Sequence, residues 1–132
     1  MNRTIVVLGL CPLLSATLLL GSAAHANTPA VGGAVDKAFG NTIVSTYPDG
    51  RKGELWLQPG GAYTAEGRRH DPSSGHWSVR GAKLCLRQSK PIGMPFSFCT
   101  PLPSGGMDQA WSAKAVTGEP IRVKLVKGHT AN

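Results

Sequence analysis

The stretch Gly75-His-Trp-Ser-Val-Arg-Gly-Ala-Lys-Leu-Cys-Leu-Arg87 decides the fold class. Trp77 and Val79 stand two residues apart, as do Leu84 and Leu86, and Gly81-Ala82 lies between the pairs. Period-two apolar spacing on both sides of a short Gly-containing joint predicts a β-hairpin. The second strand carries Cys85. Its expected partner is Cys99, on the next apolar run.

The chain outward from this hairpin reads as more strands. On the N-terminal side, Thr42-Ile-Val-Ser-Thr-Tyr47 is β-branched and aromatic, and Pro48-Asp49-Gly50 supplies a turn. Lys52-Gly-Glu-Leu-Trp-Leu-Gln58 is the next strand, with Leu55 and Leu57 on one face and Trp56 on the other. Pro59-Gly60-Gly61 turns again, and Ala62-Tyr-Thr-Ala65 is a short strand. Residues 66–74 read as a long polar loop before the hairpin, and residues 88–95 as a second loop after it. Phe96-Ser-Phe-Cys99 follows as a strand with both Phe on the face of Leu84 and Leu86. Cys85 and Cys99 then meet on the opposite face. Residues 107–116 predict a strand around Trp111. Ile121-Arg-Val-Lys-Leu-Val126 alternates most cleanly, with Ile121, Val123 and Leu125 inward. Seven or eight short strands with a turn signal at nearly every joint predict an all-β domain. The simple hairpin links favour a small up-and-down antiparallel meander barrel.

The first residues are set apart from this pattern. Arg3 precedes an almost wholly apolar run over 5–21, and Ala24-His25-Ala26 has small residues where a signal peptidase needs them. This is the layout of a secretory signal peptide over 1–26, with cleavage expected after Ala26 and a periplasmic or secreted product. Pro12 within the run and the Ala-x-Ala site argue against a membrane anchor, and no other stretch is apolar enough to span a bilayer. Residues 27–40 read as a flexible lead and one helical turn closed by Gly40, residues 41–128 as the barrel, and 129–132 as a polar tail. Of three cysteines, only Cys85 and Cys99 remain after cleavage, and an even count in an exported chain implies a disulfide rather than a metal pair.

The whole chain of 132 residues has 14 Lys and Arg against 7 Asp and Glu. Loss of Arg3 leaves the mature part basic. A basic surface favours an anionic cell-envelope component or an acidic secreted protein as partner, whereas export disfavours nucleic acid.

The runs Gly61-Ala-Tyr-Thr, Ser74-Gly-His-Trp-Ser-Val and Lys83-Leu-Cys-Leu resemble the pattern Gly-x-Tyr, Gly-x-Trp-x-Val, Leu-x-Leu of small exported bacterial lipocalin-like barrel modules. The likeness covers residues 60–99. It implies a fold and carries no catalytic residues, since its glycines make turns and its aromatics fill a barrel.

Candidate chemistry concentrates in Arg68-Arg69-His70-Asp71-Pro72-Ser73-Ser74-Gly75-His76. A serine with His70 or His76 and Asp71 has the residue types of a nucleophile–base pair, but no nucleophile elbow accompanies it. His70, Asp71 and His76 lack the spacing that puts metal ligands on one face, so neither a metal nor a cofactor is expected. Arg68 and Arg69 can grip a carboxylate or phosphate, or simply guard a sheet edge. Trp56 and Tyr63 are either ligand-facing aromatics or core. The reading is an exported binding module that uses Trp56, Tyr63, Arg68, Arg69, His70 and His76 for an anionic or carbohydrate-like ligand or a protein. The alternatives are an inhibitor of a secreted hydrolase inserting residues 89–95, a small hydrolase or lyase centred on His70 and His76, and a structural envelope protein.

Overall fold

A computed structural model describes residues 35–102 and 106–130. The expected signal peptide over 1–26 and most of the expected lead lie outside the described residues. The chain forms eight strands: β1 (Thr42–Thr46), β2 (Lys52–Leu57), β3 (Ala62–Glu66), β4 (Pro72–Arg80), β5 (Lys83–Lys90), β6 (Phe98–Pro101), β7 (Ala110–Lys114) and β8 (Pro120–Val126). They make one antiparallel sheet in the order β6-β5-β4-β3-β2-β1-β8-β7. The sheet curls into a nearly closed barrel. Only β6 and β7 lack ladder pairing to each other, and residues of both line the seam.

Alternation along each strand fills the interior. Ile43, Leu57, Tyr63, Leu84, Ile121, Val123 and Leu125 are buried there, with Leu55, Trp77, Leu86 and Trp111 packed against them. On β8, Arg122 and Lys124 face outward as the pattern requires. Two cavities reach this core, and each holds only about 70 Å³. Among the described residues the barrel interior is therefore packed with side chains, and the cavities that reach it are not ligand-sized. At one end Val35 and Ala38 are buried in a tight turn, whose Ala38 amide donates to the Val35 carbonyl at 2.8 Å, and Phe39 leans on the Trp77 ring.

The hairpin of β4 and β5 is the longest pairing. Its register shifts once, between Ser74 and Gly75. A Cβ at Gly75 would collide with the carbonyl oxygen of Arg87, so only glycine lets β5 cross there. Gly61, at φ +97°, uses the left-handed freedom of glycine instead, and its carbonyl accepts from the Trp77 amide at 2.8 Å. The Gly-x-Tyr and Gly-x-Trp patterns are thus backbone devices.

Cys85 lies directly opposite Cys99 in the β5–β6 register and is bonded to it, while Leu84 and Leu86 point inward. Other boundaries differ from expectation. The polar loop is only residues 67–71, because β4 starts at Pro72 and Ser73 and Ser74 pair with Ala65 and Thr64. Ser74 shares the outer face of Thr64 and Trp56, Ser73 the inner face of Ala65 and Leu55, and both stay half-exposed, so a polar strand end mimics a loop in sequence. Phe96 precedes β6 and stays exposed. The polar tail is docked as far as Thr130. His129 stacks on Trp56 at 4.5 Å, and the Thr42 hydroxyl receives the Thr130 amide at 3.0 Å and the Trp56 indole at 3.0 Å while donating to the Gly128 carbonyl. This places a second, smaller packed cluster on the outer face of β1 and β2.

Gly75→Ala is expected to destabilise the protein by about 2–4 kcal/mol, since the clash is with backbone and cannot be relieved by a rotamer change; urea unfolding followed by Trp fluorescence measures it. Replacing both Cys85 and Cys99 by Ser is expected to cost about 3 kcal/mol by releasing a loop of sequence separation 14, read as a lower unfolding midpoint with an unchanged circular dichroism spectrum.

Candidate functional site

In an up-and-down barrel alternate connections share an end. The links β1–β2, β3–β4, β5–β6 and β7–β8 therefore meet at one rim, opposite the end that holds Val35 and Ala38. The β1–β2 and β3–β4 links bring polar residues suited to turns. Asp49 caps its own turn by accepting the Arg51 amide at 3.0 Å, and Gly50 supplies φ +80°.

Arg68 ties three of these links together. Its Nη1 and Nη2 donate to Glu119 at 2.9 and 3.2 Å, its Nη1 is 3.6 Å from Asp49, and its guanidinium sits 4.6 Å above the Tyr47 ring. This is a two-pronged carboxylate clamp with a stacked aromatic. The hydrogen bonds to Glu119 hold the guanidinium above its ordinary value, against desolvation and with help from the charges of Glu119 and Asp49. A raised value means that what the clamp contributes to stability is fully present below arginine's ordinary value. It is lost only as pH rises through the folded one. Arg68 is thus occupied within the protein.

Beside it lies an open cleft of about 570 Å³ lined by Gly50, Arg51, Lys52, Arg68, Arg69 and His70. Among the described residues Lys52 and Arg69 make no ion pair, and Arg51 reaches Asp49 only at 3.8 Å. His70 holds a left-handed φ of 63°, unusual for a residue with a side chain. Its Nδ1 donates to Glu66 Oε1 at 2.6 Å, which fixes the tautomer and leaves Nε2 as the available ring nitrogen. The side chains of Arg51, Lys52 and Arg69 give the cleft cationic N–H donors, while His70 Nε2 faces outward as an acceptor.

The other candidates fall elsewhere. His76 is exposed in the middle of β4, on the order of 16 Å along the strand from the 67–71 turn. His70 takes Glu66 as its carboxylate, while Asp71 is exposed at the turn's end. The structure does not bring His70 and His76 together, and among the described residues no three His, Cys, Asp or Glu converge as metal ligands. Trp56 is buried under His129 on the outer face, at the edge of a groove with Thr64, Glu66, Ser74 and Lys90. Tyr63 lies in the core at 5% exposure, and burial pushes its phenol up from the ordinary value. Arg51 and Lys52 belong to the cleft although sequence reasoning passed over them. The signal was present: in a meander the 48–51 turn must lie at the same end as the 67–71 turn.

Comparison with protein-family models, curated proteins and solved structures finds no match for this chain.

The raised Tyr63 value has a consequence for stability. Above the ordinary phenol value the unfolded chain releases a proton that the folded barrel retains, so stability falls as pH rises. Thermal melts between about pH 9 and 11 are expected to show a smaller loss of Tm in Tyr63→Phe than in the parent protein.

Proposed function

We propose that the protein is an exported binding module for an anionic ligand, held in the cleft of Arg51, Lys52, Arg69 and His70. The observation that carries this reading is the pair Lys52 and Arg69, cations without an ion-pair partner among the described residues, facing one open cleft. The neighbouring Arg68, by contrast, is neutralised by Glu119. Unpaired like charges in one concavity repel each other and raise local anion concentration, which favours a multivalent anion over a neutral sugar. Removal of a signal peptide and delivery to the periplasm or outside the cell belong to the same proposal, and the disulfide is consistent with an oxidising compartment. So does kinship with lipocalin-like modules, for which the eight-stranded meander is support. The filled interior favours a ligand at the rim over one inside the barrel.

Isothermal titration with a short linear polyphosphate, against a neutral oligosaccharide of similar size, tests the reading. Binding to the polyphosphate alone is expected. It should weaken with added salt and fall about tenfold or more in Lys52→Ala/Arg69→Ala, whose Tm stays unchanged. Equal binding of the neutral sugar, or an unaffected double variant, rejects it.

A further inference from the structure

The same rim carries apolar side chains that the barrel does not use. Ile92 is 74% exposed, Phe96 54% and Val116 61%. The remaining large exposed hydrophobic among the described residues, Met107, lies in the connection at the opposite end. Ile92 and Phe96 project from the β5–β6 link, and Val116 from the β7–β8 link. Phe96 and Val116 meet with Met94 over a small hollow. The β5–β6 link is anchored from below. Gln88 Nε2 donates to the Ile92 carbonyl at 2.9 Å, and the Met94 amide donates to the Gln88 carbonyl at 2.9 Å. The Gln88 side chain and backbone together hold Ile92 in its exposed position.

Cations flank these tips. Lys90 ends β5 just before the link, and Lys114 ends β7 two residues before Val116. Beyond Glu119, which Arg68 occupies, come Arg51, Lys52 and Arg69 of the cleft. The carboxylates of the rim are mostly spent on its own structure: Asp49 and Glu119 face Arg68, and Glu66 holds His70.

We propose that this rim docks the protein on an anionic phospholipid surface, with Ile92, Phe96 and Val116 entering the headgroup–acyl boundary and Arg51, Lys52 and Arg69 taking lipid phosphates. The inference rests on the anion-binding reading above and names the source of the anion. Apolar tips and cations on one rim are what an anionic bilayer interface selects, because apolar burial and headgroup attraction act together there. The filled barrel removes the competing explanation that the tips guard the mouth of an internal lipid site, since hollows of about 70 Å³ cannot take an acyl chain.

The test is co-sedimentation of the purified protein with vesicles of phosphatidylglycerol mixed equally with phosphatidylcholine, against phosphatidylcholine alone. Binding is expected to the anionic vesicles and to weaken with salt. Lys52→Ala/Arg69→Ala should lower the partition coefficient about fivefold per cation. Ile92→Ser/Phe96→Ser/Val116→Ser, at exposed positions, should lower it about tenfold or more while leaving polyphosphate titration unchanged, and Met107→Ser should have no effect. Vesicle binding that survives the triple serine change overturns docking by the tips. Polyphosphate binding without vesicle binding overturns the lipid surface and leaves the anion site standing. Loss of both overturns the two readings together. If vesicles fail and the parent protein, but not the triple variant, forms a discrete complex with a protein from its host's envelope extract, the rim belongs to a protein interface and the lipid proposal falls.

Discussion

The structure depends on the place where β5 crosses β4 at Gly75. The two strands are the longest in the barrel, and the absence of a side chain allows the carbonyl of Arg87 to lie where a Cβ would be. The register shift at Ser74 and Gly75 follows from that approach, and a bulge at this point adds local twist. From the shift onward, Trp77, Leu84 and Leu86 turn inward together, and Cys85 is brought opposite Cys99 on the outside. A residue of slip would exchange the two faces of the hairpin. The disulfide and the core therefore report on the same register from opposite sides of the sheet.

Closure has a second consequence. A barrel this narrow fills with its own side chains, so specificity has to be built outside the core. The links are short, and they fall at one end or the other by the parity of the strand count. At the rim away from Val35, the clamp of Arg68 on Glu119, Asp49 and Tyr47 uses up one cation and stiffens three links at once. The cations it does not need remain around the cleft. Structural and available charge are adjacent in sequence, at Arg68 and Arg69, and only their neighbours distinguish them.

The C-terminal segment shows the same division on the side wall. Trp56 faces away from Leu55 and Leu57, as the alternation of β2 demands, and an outward Trp suggests an exposed binding aromatic. Instead His129 and Thr130 fold back over it, and the Thr42 hydroxyl links the Trp56 indole, the Gly128 carbonyl and the Thr130 amide. A buried hydroxyl with several partners is a strong local constraint because each unmade bond would carry a desolvation cost. Nothing in the polar run from His129 announces this packing. It arises from contacts between the two ends of the described chain, such as Thr42 with Thr130, 88 residues apart, which no periodicity records.

What the sequence determined by itself is the architecture. Period-two alternation, the turns at Pro48-Asp49-Gly50 and Gly60-Gly61, and the spacing of Cys85 from Cys99 specify an antiparallel meander with one staple, because side-chain parity and turn chemistry are local. The strand ends were less legible. Ser73 and Ser74 read as loop because a half-exposed strand end and a loop both tolerate small polar residues. The tertiary structure alone decided which charges are spent. Arg68 met Glu119, 51 residues away, and left Arg69 with Arg51 and Lys52 around the open cleft. Ion pairing depends on distance in space, and composition carries no trace of which oppositely charged side chain the closing of the barrel will bring near.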